Sequence, residues 1–178
     1  MGKVIAVEYL SLDGVMEEPG WSGLFFNDEV AKFQYDNLFE SDALLLGRVT
    51  YEGFKSAWPT MEGTGDFGER MNSMPKYVTT NTLTEPEWNA TFLSGDVAAQ
   101  ISRITGATNQ TLLINGSAEL FTYLGDRGLI DEYRFMVFPV VVGSGKRLFE
   151  EGKGRAFTLI KSQITKSGVA ILTYTPAE

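Results

Sequence analysis

The sequence predicts an α/β protein: a mixed, mostly parallel sheet with helices on both faces and an antiparallel C-terminal part. Three observations lead there. Short apolar, β-branched runs recur along the chain, among them Val4–Tyr9, Ala43–Leu46, Lys76–Thr80 and Thr111–Ile114. Segments with helical spacing of apolar residues lie between several of them, and such segments are the crossovers that parallel neighbours need. The last two runs, Ala156–Thr165 and Val169–Thr175, are joined only by Lys166-Ser167-Gly168, a turn short enough to force antiparallel pairing.

Each element has its own warrant. Val4–Tyr9 is a short apolar, β-branched run, broken only by Glu8, and reads as a buried strand. Asp28–Phe39 carries apolar residues at Val30, Ala31, Phe33, Leu38 and Phe39, with Asn27 as its cap, and reads as a helix. Ala43–Leu46 is a strand that ends at Gly47, and Val49–Trp58 is a helix stopped by Pro59. Pro59 to Pro75, with Gly63, Gly65 and Gly68, is the most loop-like stretch, and Asp13 to Asn27 is the second. Lys76–Thr80 and the short Thr91–Leu93 are strands, and Asp96–Ile104 is a helix with Gly106 behind it. Thr111–Ile114 is a strand, and Ser117–Leu124 is a helix opened by Ser117 and closed by Gly125. Leu129–Val142 is a long strand region interrupted near Pro139, and it could pair across a homodimer.

Length and composition bound the function. The chain has 178 residues, the size of one domain spanning residues 1–178. Its net charge of −8 argues against duplex nucleic acid and anionic membrane surfaces as partners. No window approaches a membrane span and no secretory leader is visible, so the expected location is cytoplasmic. Cysteine and histidine are both absent, which removes thiol nucleophiles, histidine acid–base chemistry and Cys/His zinc sites. No metal site is expected. Proton chemistry is left to Asp, Glu, Lys, Tyr or water.

Two junctions share one layout of apolar strand, glycine and helix start: Leu44-Leu45-Leu46-Gly47-Arg48-Val49-Thr50 and Leu112-Leu113-Ile114-Asn115-Gly116-Ser117-Ala118. At each, glycine lets a ligand approach the backbone, and the helix that follows offers unpaired N–H groups and the positive end of its dipole. Arg48 adds a fork-shaped cation, and Thr50 and Ser117 add hydroxyls. Tight strand-to-helix turns use the same residues with no ligand at all. Two such sites in one sheet, one bearing Arg48, suit the two phosphate ends of a dinucleotide. The literal G-x-G-x-x-G at Gly63–Gly68 follows no strand and carries Asp66, so it reads as a glycine-rich surface loop. Gly143-Ser144-Gly145-Lys146 reads as a hairpin loop or as a nest of backbone N–H groups.

Taken in order, Ser11-Leu12-Asp13-Gly14, Leu46-Gly47-Arg48-Val49-Thr50-Tyr51-Glu52, Asn115-Gly116-Ser117-Ala118 and Pro139-Val140-Val141-Val142-Gly143-Ser144-Gly145 resemble the dihydrofolate reductase-like superfamily. Within it they resemble the branch related to the C-terminal reductase domain of the bifunctional riboflavin-biosynthesis deaminase-reductase. The resemblance runs from Lys3 to Thr175 and implies a three-layer α/β/α fold and NADPH-dependent reduction of a small pterin, pyrimidine or related heterocycle. By this similarity Gly47, Arg48 and Thr50 hold the adenosine-side phosphates, Thr79 and Thr80 lie near the 2′-phosphoribose, and Gly116, Ser117 and Ala118 cradle the pyrophosphate. Leu12, Asp13 and Gly14 pass beside the nicotinamide. The pterin-binding carboxylate of the superfamily corresponds to Glu29, with Asp28 as an alternative.

The expectation is therefore an NADPH-dependent oxidoreductase with a small-molecule substrate. Glu29 or Asp13 orients the substrate or assists protonation, with a carboxyl pKa raised by burial. Trp21, Phe25 and Phe33 wall the substrate ring or anchor the loop before the first helix. No zinc-bearing deaminase segment and no strand-borne basic set for a ribose phosphate is evident, which points away from the riboflavin pathway itself. The rivals are a nucleotide- or pterin-binding protein that keeps the fold without the chemistry, and an interaction protein that uses its sheet edge.

Overall fold

A computed structural model describes residues 1–17 and 19–178. The strands are β1 (Val4–Leu10), β2 (Ala43–Gly47), β3 (Lys76–Thr79), β4 (Ala90–Leu93), β5 (Leu112–Ile114), β6 (Glu132–Val137), β7 (Phe157–Ile164) and β8 (Ala170–Pro176). The helices are α1 (Asp28–Glu40), α2 (Arg48–Ala57), α3 (Gly65–Ser73), α4 (Val97–Ala107) and α5 (Ala118–Asp126). All eight strands join one sheet in the order β4-β3-β2-β5-β1-β6-β8-β7. Every neighbouring pair from β4 to β6 is parallel, and the β6–β8 and β8–β7 pairs are antiparallel. The expected mixed sheet is what forms.

The central strands β1, β2 and β5 are buried almost throughout, which is why they read as near-continuous apolar runs, with Glu8 the one charged residue among them. Side chains still alternate across the sheet. Val4, Ala6 and Leu10 pack on one face with Ile101 of α4 and with Leu120, Phe121 and Leu124 of α5. Ile5 and Val7 pack on the other with Val30 and Leu38 of α1, Tyr51 of α2 and Met71 of α3. Two apolar layers thus sandwich the sheet, completing the α/β/α arrangement.

Three local expectations are corrected. The stretch read as loop between Pro59 and Pro75 contains α3. The literal glycine motif lies at its start, and Gly68 is buried because Thr64 packs where a side chain would be: a Cβ there would lie 1.8 Å from Thr64 Oγ1. Glycine here serves close packing and helix formation prevails, because Met71 and Met74 bury fully against the sheet. The long strand expected over Leu129–Val142 contracts to β6, since Phe138 turns into the core and Pro139 cannot donate to a ladder. β6 is also interior, bonded to both β1 and β8, so it offers no free edge for pairing between copies. The outer edges belong to β4 and β7. No helix among the described residues is long and apolar enough to cross a membrane.

Candidate functional site

Neighbouring strands β2 and β5 send their following helices to opposite faces of the sheet. α2 contributes Tyr51 to the core shared with α1, whereas α5 contributes Ala118, Leu120 and Phe121 to the core shared with α4. The chain must part between two such strands, and a crevice opens beyond their carboxyl ends. A cleft of about 1150 Å³ lies there, lined by Gly47, Arg48 and Thr50 on one side, by Asn115 through Leu120 on the other, and by Thr79 through Thr82 toward β3.

The two helix tips meet across this crevice. A Cβ on Gly47 would stand 2.7 Å from Ser117 Oγ, and a Cβ on Gly116 would stand 3.2 Å from Thr50 Oγ1. Gly116 has φ +119°, a conformation that side chains avoid, and the Gly116–Ser117 peptide is cis. The tips differ in how their N–H groups are used. Ser117 Oγ accepts the Leu120 N–H at 3.3 Å and so caps α5. Gly47 has no side chain to cap α2, and the first turn of α2 lies on the cleft wall. Free N–H groups on a ten-residue helix, a guanidinium beside them and close approach at both glycines together fit an elongated phosphorylated ligand.

Arg48 pairs with Glu52 one turn on, at 2.8 Å, and both side chains are about half exposed (43%). Such a pair is worth little in water and leaves the guanidinium free to take an anion instead. Thr80 Oγ1 accepts the N–H groups of Thr82 and Leu83 at 3.2 and 3.1 Å, which folds the segment after β3 into a tight turn facing the cleft. Eight residues expected to hold a cofactor therefore share one wall: Gly47, Arg48, Thr50, Thr79, Thr80, Gly116, Ser117 and Ala118.

Leu12, Asp13 and Gly14 lie outside that wall. Leu12 N–H donates to Val140 O at 2.7 Å, and Leu148 N–H donates to Gly14 O at 3.1 Å, which docks this loop on the segment after β6. The Asp13 carboxylate is the clamp. It accepts from Ser11 Oγ at 2.5 Å and from the N–H groups of Val142 and Gly143 at 3.1 and 2.9 Å. Those donors, the serine hydroxyl foremost, hold its pKa down to about 2, the reverse of the expected upward shift. Asp13 is thus an ionised structural acceptor at neutral pH.

Glu29 also lies outside the cleft. Its Oε1 accepts the Lys166 N–H at 2.8 Å and ties the start of α1 to the β7–β8 turn. Trp21, Phe25 and Phe33 pack against the core on the α1 face. Trp21 meets Phe138 edge-on at 5.7 Å, and Phe138 lies 5.6 Å from Tyr9, whose ring does line the cleft. Trp21 thus supports the wall from behind, through Phe138.

One residue of the wall has no counterpart in the sequence expectations. Glu8 sits on β1, only 4% exposed, and lines the cleft. Among the described residues its Oε1 has no hydrogen-bond partner. Burial alone pushes its pKa up to about 8, so the carboxyl is neutral at pH 7. The available signal was an acid inside an apolar strand run, in phase with Ala6 and Leu10, on a face that had to be buried.

Comparison with known proteins agrees with this fold. The family model of the RibD C-terminal domain matches residues 2–172. Protein YyaP of Bacillus subtilis, described as uncharacterized, is 27% identical over 143 residues, which cover 78% of this chain and 76% of YyaP. A crystal structure from Shewanella sp. PV-4 superimposes with a TM-score of 0.80 at 24% identity, covering 99% of both chains. Dihydrofolate reductase from Enterococcus faecalis, complexed with NADP(H), gives a TM-score of 0.68 at 16% identity over 99% of this chain and 98% of that one. The fold is dihydrofolate reductase-like.

Proposed function

The chain belongs to the RibD C-terminal domain family, and on that premise we propose that it is an NADPH-dependent reductase acting by hydride transfer on a small pterin, pyrimidine or related heterocycle. The observation that carries the reading is the convergence of two helix tips, at Gly47 and at Gly116–Ser117, on one crevice at the switch point of the sheet.

In this reading Gly47, Arg48 and Thr50 hold the phosphates at the adenosine end, with Thr79 and Thr80 beside the 2′-phosphoribose. Gly116, Ser117 and Ala118 bind the pyrophosphate, which the glycine lets approach the backbone. The coenzyme, when bound, supplies the hydride. The chain supplies orientation and shields the reacting end from water. Tyr9 and Met16 line the far part of the cleft and give a flat ring an apolar seat. Tyr9 OH accepts from Gln34 Nε2 of α1 at 2.8 Å, so its ring is held in place. The Asp13 clamp fixes the loop that follows β1, and Trp21 steadies Phe138 behind Tyr9.

The test is an NADPH-depletion screen with the purified chain against dihydrofolate, other pterins and aminopyrimidine ribosides. Turnover with one of these classes is the expected result. NADPH binding without oxidation across the whole panel would leave a binding protein in place of an enzyme.

A further inference from the structure

Most clustered charges on this molecule are already spent. Asp126 pairs with Lys153 and Arg155, and Arg134 pairs with Glu40 and Glu132. Lys76 is buried at the far end of β3, over the Trp88 ring at 3.9 Å. Glu8 differs. It is a buried acid whose Oε1 has no partner among the described residues, and it lies on the wall of the cleft.

Its position follows from the sheet. β1 and β5 stay in register as far as Ala6 and Ile114. There β5 ends and the chain turns away through Asn115 and Gly116, while β1 continues to Leu10 with only β6 beside it. Glu8 stands two residues past that parting, with Phe135 as its neighbour on β6. It shares the sheet face of Ala6 and Leu10, the face covered by α5. A polar atom so deeply buried with no partner among the described residues is destabilising, and a ligand in the cleft can offset that.

We propose that Glu8 is a ligand-binding residue of the cleft, whose carboxyl group in its protonated form donates a hydrogen bond to an oxygen of the ribose–phosphate chain of the bound dinucleotide. The inference rests on the reductase reading and deepens it. A neutral acid at this place is a donor, whereas an ionised one repels a phosphate at low dielectric. The other titratable or charged groups on the cleft wall are Tyr9 of β1, Glu17, Arg48 of α2, Glu119 and Tyr123 of α5, and Lys146. Glu17 Oε2 is itself engaged by the Lys146 N–H at 3.0 Å, and Arg48 by Glu52. The rise of the Glu8 pKa to about 8 is caused by burial alone, so none of these charges sets its protonation state. Binding is therefore coupled to one proton: above pH 8 the carboxylate must be protonated as the ligand enters.

The experiment is a titration of the full chain with NADPH. Affinity is followed from about pH 6 to about pH 10, and calorimetry in two buffers of different ionisation enthalpy counts protons taken up. The wild type should hold its affinity up to about pH 8, then lose about tenfold per pH unit and take up close to one proton per site. Glu8→Gln should bind several-fold more weakly near neutrality, show no such fall and take up no proton. The wild-type proton count needs no variant. Nor does a carboxyl ¹³C resonance of glutamate that titrates near pH 8 and moves when NADPH is added, so the outcome stands even where Glu8→Gln fails to fold. NADPH binding above about pH 8 with no proton uptake, or with the same pH profile in wild type and Glu8→Gln, overturns the assignment of Glu8 and leaves the reductase reading intact. No NADPH binding at any pH overturns both.

Discussion

Gly47 and Ser117, seventy residues apart in sequence, face each other so closely that a methyl group on the first would stand 2.7 Å from the hydroxyl of the second. The contact joins the tips of α2 and α5, which lie on opposite faces of the sheet. Gly47→Ala is expected to destabilise the fold by about 1–3 kcal/mol through overpacking and to weaken NADPH at least tenfold. Ser117→Gly removes the hydroxyl and costs only a few tenths of a kcal/mol as a cap. The double variant should recover much of the loss, and a double-mutant cycle from denaturant titrations reads that coupling. Strict additivity would mean that the tips do not touch.

Arg48 places a guanidinium on the cleft wall, at what the proposed reading makes the adenosine end. Replacing it with Gln should weaken NADPH by about tenfold or more and NADH far less, because only the former carries the 2′-phosphate that a fixed cation recognises. Binding titrations with both coenzymes check this. Equal losses would move the 2′-phosphate elsewhere.

Burial of Glu8 makes stability fall with rising pH. Its folded-state pKa of about 8 lies above the ordinary value of 4.5, so between them the native state keeps a proton that the unfolded chain has released. The contribution is fully present below pH 4.5 and is lost as pH rises toward 8. By pH 7 the loss is on the order of 3 kcal/mol. Glu8→Gln, which cannot ionise, should melt higher than the wild type at pH 7 and lose the advantage near pH 4. Denaturant midpoints across that range measure it.

Asp13 behaves in the opposite sense. Its pKa is lowered to about 2 from 3.8, so its hold on Val142 and Gly143 is complete above about pH 4 and lost as pH falls through 2. Asp13→Asn should free the loop after β1, seen as faster amide exchange at Val142 and Gly143 near neutral pH. Unchanged protection there would contradict the clamp.

The parts legible in the sequence are those where local pattern and tertiary demand agree. Val4–Tyr9 and Leu112–Ile114 read as buried strands because, Glu8 apart, they are apolar or aromatic on both faces, and Gly47 and Gly116 read as close-approach positions because each ends a strand and precedes a helix. α3 did not read as a helix because its glycines hide an apolar stripe that only burial of Met71 and Met74 reveals. The hydrogen-bond partners of the carboxylates, and with them the downward pKa shift of Asp13, were not legible for one physical reason. Sequence gives residue type but not partners: Glu29 finds the Lys166 N–H, Asp13 finds three donors, and Glu8 finds none for Oε1 among the described residues. The burial of Glu8 was signalled by its phase with Ala6 and Leu10 inside an apolar strand.

Whether one coenzyme spans the crevice between the two helix tips is decided most directly by equilibrium titration of the full chain with NADPH, beside the Gly116→Val variant. A side chain at that position is strained at φ +119° and approaches Thr50 Oγ1. The account predicts saturable binding of one NADPH per chain and its loss in the variant, with both proteins folded by circular dichroism. Absence of binding by the wild type, or equal affinity in the two, would contradict it.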